Sequence, residues 1–166
     1  MEKVKIVTDS TCYMGKVYLD MYNIEVIPLY VRFGEKMYRE GIDVTPDEFY
    51  KEVRSGRELP ETTQPAPEDF ERVYKPLLDD GYEIISIHIS AGLSGTVNSA
   101  NAAKEALKSD KIHIFDSKFT SMGLGFQILE IANMLYNEKR PLDEVLNIIP
   151  TLYKHMNIYF LVKDLF

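Results

Sequence analysis

The chain is poor in the residues that announce disulfide or metal chemistry. One cysteine, Cys12, occurs in 166 residues, so no intrachain disulfide can form. No histidine or second cysteine stands near Cys12 in sequence, which argues against a metal site built on it. Runs of basic residues are lacking as well. The 19 Lys and Arg are scattered among 26 Asp and Glu, for a net charge of -7. Phosphate neutralisation supplies most non-specific nucleic-acid affinity, so nucleic acid is not an expected partner. No stretch approaches the about 18 apolar residues of a transmembrane helix, and no membrane span is expected. The apolar run before Asp9 is too short for a secretory signal, so a cytoplasmic protein is expected. Internal repeats, heptads and low-complexity tracts are absent. So is G-x-x-x-x-G-K-[ST], and Thr8-Asp9-Ser10 stands where the glycines of a dinucleotide fingerprint would follow strand 1.

What is present is core and turns. The 45% hydrophobic content is ample for a globular unit, which at this length hides roughly 70% of its unfolded surface. Val4-Lys5-Ile6-Val7 reads as a strand ending at a hydroxyl-rich turn, and a short helix follows over residues 16–22. Residues 24–33 (IEVIPLYVRF) read as a second strand with Pro28 at a bend or edge, turning through Gly34-Glu35-Lys36 into Met37-Tyr38-Arg39. Thr45-Pro46-Asp47-Glu48 is a capping-box helix start, with Gly56 as its C-terminal cap. A polar, proline-rich loop is expected over 59–67, then a helix from Pro67 closed by Gly81. Residues 83–90 (EIISIHIS) read as a strand buried on both faces. A turn at 91–96, an alanine-rich helix to about Lys108, and a strand over 111–115 follow. Helices over 122–136 and 142–155 and a last strand over 157–162 complete the reading. The alternation predicts an α/β fold, a parallel β-sheet with helices on both faces.

Such sheets bind ligands at the carboxyl ends of their strands. Three turns are expected there: Thr8-Asp9-Ser10-Thr11, Ser94-Gly95-Thr96 and Asp116-Ser117, with Thr62-Thr63-Gln64-Pro65 on the same edge. Hydroxyls, and amides at the helix start after Ser94, suit an anion, and Gly95 removes a Cβ that would hold it off the backbone. The ligand's polar end is therefore expected to be a carboxylate or phosphate. Each turn taken alone also reads as a helix N-cap with no ligand. Gly92-Leu93-Ser94-Gly95-Thr96 starts like a nucleophile elbow, but Thr96 stands at the fifth position, where that motif has glycine. His88 and His113 fall inside strands, as side chains on a sheet face.

Five segments in order, IVTDST (6–11), IPLYV (27–31), TTQPAPEDF (62–70), ISAGLSGTVNSA (89–100) and IFDS (114–117), make the chain resemble the DegV family over nearly its whole length. That resemblance implies a non-enzymatic carrier with two domains and one long-chain fatty acid in a tunnel between them. By position, Thr62, Thr63 and Ser94 would meet the acid's carboxylate, with Asp9, Ser10, Gly95, Thr96, Asp116 and Ser117 in support. The family also implies that the bound acid is presented to a fatty acid kinase catalytic subunit, with no cofactor or metal. Two departures stand out. The family's T-S-Q-P loop is Thr62-Thr63-Gln64-Pro65 here, which keeps the hydroxyl and adds a methyl group. The family's Gly-Gly-Arg motif and second domain do not follow Phe166. Residues 1–156 are thus expected to be the N-terminal domain and 157–166 the start of a connection to a domain absent from this truncated chain. Apolar surface near residues 158–166 would then favour self-association. The competing expectations are a serine esterase using Ser94 and a truncated domain without lipid affinity.

Overall fold

In the computed structural model, residues 3–56 and 60–159 are described. Four parallel strands form the main sheet: β1 (Val4–Asp9), β2 (Glu25–Ile27), β6 (Glu83–His88) and β7 (Ile112–Asp116), in the order β2-β1-β6-β7. Ile6 pairs with Ile85, and Ile85 with His113, so neighbouring strands end together at one edge. Adjacent β-branched residues point to opposite faces, which is why both faces of the sheet are apolar. Val7, Ile84 and Ile112 pack with Phe70 and Tyr74 of α3 (Pro67–Asp79) and with Ala100 and Ala103 of α4 (Thr96–Leu107). On the other face Ile6, Ile85 and Ile87 meet Leu124, Ile128 and Ile131 of α5 (Ser121–Ala132) and Val145 of α6 (Leu142–Ile148). The α/β sheet with helices on both faces is the architecture that the alternation predicts.

A second, antiparallel sheet sits beside it, in the order β4-β3-β5: β3 (Tyr30–Phe33), β4 (Lys36–Arg39) and β5 (Glu61–Thr63). It overturns two expectations. The single strand read over 24–33 is two strands in two sheets, because Pro28 has no N–H to extend the parallel ladder past Ile27. The loop read over 59–67 contains β5, in which Thr62 pairs with Val31 and Thr63 with Tyr30.

α1 (Lys16–Met21) and α2 (Pro46–Arg54) flank the junction of the two sheets, and neither contains a fully buried residue. The capping box at the start of α2 forms: Thr45 Oγ1 accepts from Glu48 N–H (3.3 Å), and Thr45 N–H donates to Glu48 Oε2 (2.9 Å). Gly56 closes that helix at φ 71°, a conformation open to glycine at no steric cost. The helix read over 122–136 changes to a π-helical turn at Asn133–Asn137. That read over 142–155 passes into a 3-10 turn, Ile149–His155, around Pro150. Of the strand read over 157–162, residues 157–159 have no regular structure. Residues 160–166 lie outside the described residues.

Candidate ligand site

The three turns meet at the carboxyl edge, but most of their polar groups face inward. Asp9 is fully buried, and its carboxylate is saturated. Oδ1 accepts from Thr11 N–H (3.0 Å) and the Thr11 hydroxyl (2.6 Å), and Oδ2 from Ile89 N–H (2.9 Å) and His88 Nδ1 (3.1 Å). Ser10 Oγ accepts from Leu29 N–H (3.0 Å) and donates to Glu40 Oε2 (2.5 Å). Asp116 accepts from Lys118 N–H (2.8 Å) and Nζ (2.7 Å). Ser117 is buried, and its carbonyl accepts from Gln127 Nε2 (3.0 Å). Asp9, Asp116 and Ser117 thus hold turns together.

The Ser94 turn hangs on Ser90, whose carbonyl accepts from Leu93 N–H (2.9 Å) and Ser94 N–H (3.1 Å). Gly95 is the N-cap of α4, and Ser94 Oγ lies 2.9 Å from Thr96 Oγ1, with Thr96 fully buried. Ser94 remains part-exposed. Gly95 has a role that its sequence position hides. A Cβ there would lie 2.2 Å from Gln64 Oε1, so the missing side chain makes room for Gln64. Gln64 follows Thr63, and Gly95 follows Ser94. Their contact therefore brings the end of β5 to the start of α4. Gly95→Ala is expected to swing the exposed Gln64 side chain aside at a cost to the fold of no more than about 1 kcal/mol in urea unfolding.

Between the two sheets, under α1 and α2, lies a cavity of about 550 Å³, inside the range of about 300–1,000 Å³ of small-molecule pockets. Met14, Ile24, Val26, Val31, Val44 and Phe49 give it apolar walls, and Ser10, Glu40 and Thr62 supply polar groups. Thr63 and Ser94 are not among its described lining residues. Glu40 Oε1 accepts from the Tyr13 hydroxyl (3.0 Å). Burial first, then the Glu40 carboxylate, pushes the Tyr13 phenol up to about 12, so it stays a donor at neutral pH. Burial also raises the Cys12 thiol to about 11, which leaves it a protonated wall residue and a poor nucleophile.

The cavity is bordered by Thr62 of the Thr62-Thr63-Gln64-Pro65 segment, and the sequence motifs have relatives. Residues 3–166 match the model of the family described as "Uncharacterised protein, DegV family". The chain belongs to the DegV family. A DegV domain-containing protein of Clostridium perfringens is 42% identical over 135 residues, covering 81% of this chain and 48% of that one. A DegV-family protein of Thermus thermophilus, described for its fatty acid binding, is 35% identical with a TM-score of 0.83, covering 92% of this chain and 54% of that one. A stearic acid-binding protein of Eubacterium ventriosum is 28% identical with a TM-score of 0.81, covering 88% and 52%. The chain spans about half the length of these relatives.

One group in this DegV-family chain escapes sequence inspection. Ser86 Oγ lies 2.6 Å from both Tyr74 Oη and His88 Nε2, and His88 Nδ1 meets Asp9. A serine, a histidine and an aspartate are in hydrogen-bond contact, and all three are fully buried. His88 and Asp9 are 79 residues apart, so no local motif joins them. Ser94, by contrast, has no histidine among its described hydrogen-bond partners. Among the described residues, no group of three or more His, Cys, Asp or Glu is placed to hold a metal ion. None of the described helices is long and apolar enough to cross a membrane.

Proposed function

We propose that this chain supplies the acyl-chain pocket and part of the carboxylate site of a fatty-acid-binding protein. The observation that carries this is the cavity of about 550 Å³, apolar along its walls and polar where Ser10, Glu40 and Thr62 border it. A long-chain fatty acid has the matching polarity: one anionic end and a flexible apolar tail. Its tail occupies the cavity. Its carboxylate is held by the hydroxyls of Thr62 and Ser94 and by the amides at the start of α4, while Thr63, the next residue of β5, points to the opposite face of the strand. The Thermus thermophilus protein is described for fatty acid binding and the Eubacterium ventriosum protein for stearic acid binding, in agreement with that class of ligand.

We read the acid as ligand rather than substrate or cofactor, because no histidine is among the described hydrogen-bond partners of Ser94 and the Ser86–His88–Asp9 group is fully buried. Residues 1–156 act as the first domain, and the second half of the relatives' length supplies the other wall. Presentation to a kinase subunit follows from the family resemblance. Self-association through the exposed Ile158 and Tyr159 is the alternative cover for this face.

Native mass spectrometry of the purified chain, with extraction of any released lipid, is the direct test. One fatty acid per chain or per dimer is expected. An empty chain, with an equally empty version extended to the relatives' full length, would refute the site. Thr62→Ala with Ser94→Ala is expected to weaken fatty-acid binding about tenfold per lost hydroxyl. Unchanged affinity by isothermal titration would remove both residues from the site. A fluorophosphonate probe is expected to leave Ser94 unlabelled; labelling would revive the esterase reading.

A further inference from the structure

Fully satisfied polar networks inside a core rigidify what they join. From the buried chain Tyr74–Ser86–His88–Asp9, two branches run to the candidate site. In one, Asp9 Oδ2 holds Ile89 N–H, and the carbonyl of the next residue, Ser90, holds the amides of Leu93 and Ser94. In the other, Asp9 Oδ1 fixes Thr11 and so the 3-10 turn Ser10–Cys12. Within that turn, Ser10 holds Leu29 N–H and Glu40 on the cavity wall. The β7 turn joins the same residue, because Ser117 N–H donates to the carbonyl of His88 (3.1 Å). Both halves of the site therefore depend on one carboxylate, and that carboxylate is tied to the centre of the sheet by one imidazole.

We infer that His88 is the positioning residue of this site: its Nδ1–H fixes Asp9, and Asp9 fixes the Ser94 turn and the Ser10 wall. The inference rests on the fatty-acid site proposed above. Nδ1 carries a hydrogen whichever charge state the ring adopts, because an ionised carboxylate only accepts. Asp9 is held ionised. Burial alone would raise its pKa, but the donors from His88, Thr11 and Ile89 together keep it below the ordinary carboxylate range. His88 is fully buried and is not among the described lining residues of the cavity. Its contribution is geometric.

Two substitutions of His88 separate this role from packing. Asparagine places an amide N–H near the position of Nδ1 and keeps the bond to Asp9. Glutamine reaches the position of Nε2, keeping Ser86 and giving up Asp9. With stearate as the probe, His88→Asn is expected to bind within about threefold of the parent, and His88→Gln about tenfold more weakly. Amide exchange without ligand is expected to be about tenfold faster at Thr11, Ile89 and Ser94 in His88→Gln than in His88→Asn. Packing alone predicts the reverse order, since glutamine better fills the space beside Phe70, whose ring centroid is 5.2 Å from that of His88. Equal affinities and exchange rates, or affinities that follow the unfolding midpoints, would overturn the inference. If the parent chain binds no stearate, the fatty-acid site fails and the exchange pattern alone decides the role of His88. If His88→Gln does not fold, His88→Leu takes its place, filling the ring's space with no donor to Asp9. Exchange about tenfold faster at Thr11, Ile89 and Ser94 than in His88→Asn then supports the inference, and equal rates overturn it.

Discussion

Asp9→Asn is expected to destabilise the protein by about 3–5 kcal/mol, because it breaks a fully buried, hydrogen-bonded pair and strands its donors. An asparagine offers one acceptor oxygen where Asp9 offers two, so Ile89 N–H or the Thr11 pair is left unsatisfied. The substitution also changes the response to acid. The folded pKa of Asp9 lies below its ordinary 3.8. Its stabilising contribution is therefore complete above that pH and is lost as the pH falls through the folded value. Urea midpoints measured from about pH 5 down to about pH 2 are expected to diverge only below about pH 4, where the parent falls more steeply than Asp9→Asn. Parallel curves would mean that Asp9 is not the carboxylate whose protonation loosens this edge.

Val26→Phe is expected to remove most fatty-acid affinity while leaving the fold intact. Val26 is half-buried on the cavity wall, so a phenyl ring there enters the void and leaves the packed faces of the sheet alone. Each methylene kept out of the cavity forfeits about 0.8 kcal/mol of burial. A ring that displaces about four of them weakens binding about a hundredfold. Unfolding midpoints should stay within about 1 kcal/mol of the parent, since added apolar volume fills space otherwise empty. Displacement of a fluorescent fatty acid measures the first effect and thermal unfolding the second. Unchanged affinity would place the acyl chain elsewhere and leave the cavity without a ligand.

The sheet was legible because its signals are local. Ile84, Ile85, Ile87 and Ile89 declare a strand buried on both faces, and Thr45 with Glu48 declares a helix start within four residues. Pro28 was read as a bend in one strand, and the sheet boundary it marks requires knowing which partners lie on either side. β5 could not be read at all. Its three residues are exposed, so no apolar alternation exists to betray it, and its strand character comes wholly from pairing with β3. The candidate site divides in the same way. Thr62, Thr63 and Ser94 stood out as hydroxyls at turns, while the burial of Asp9 and Ser117 depended on partners that sequence does not name. Gly95 was read for what it would admit from outside, but its space is taken by Gln64, a residue 31 positions earlier.

The walls of the cavity differ in what they owe to the rest of the molecule. Ile24, Val31 and Val44 are core residues, whereas Leu19, Phe49 and Tyr50 belong to α1 and α2, which bury no residue fully. Substitutions at such positions disturb fewer partners than in the core, although Leu19 still packs against the core cluster and Phe49 against Phe33 (ring centroids 5.7 Å apart). The shape of the pocket can therefore drift in a lineage while the sheet beneath it stays the same. If the cavity holds the acyl tail as proposed, members of the family that differ at these three positions are expected to differ in preferred tail length before they differ in stability.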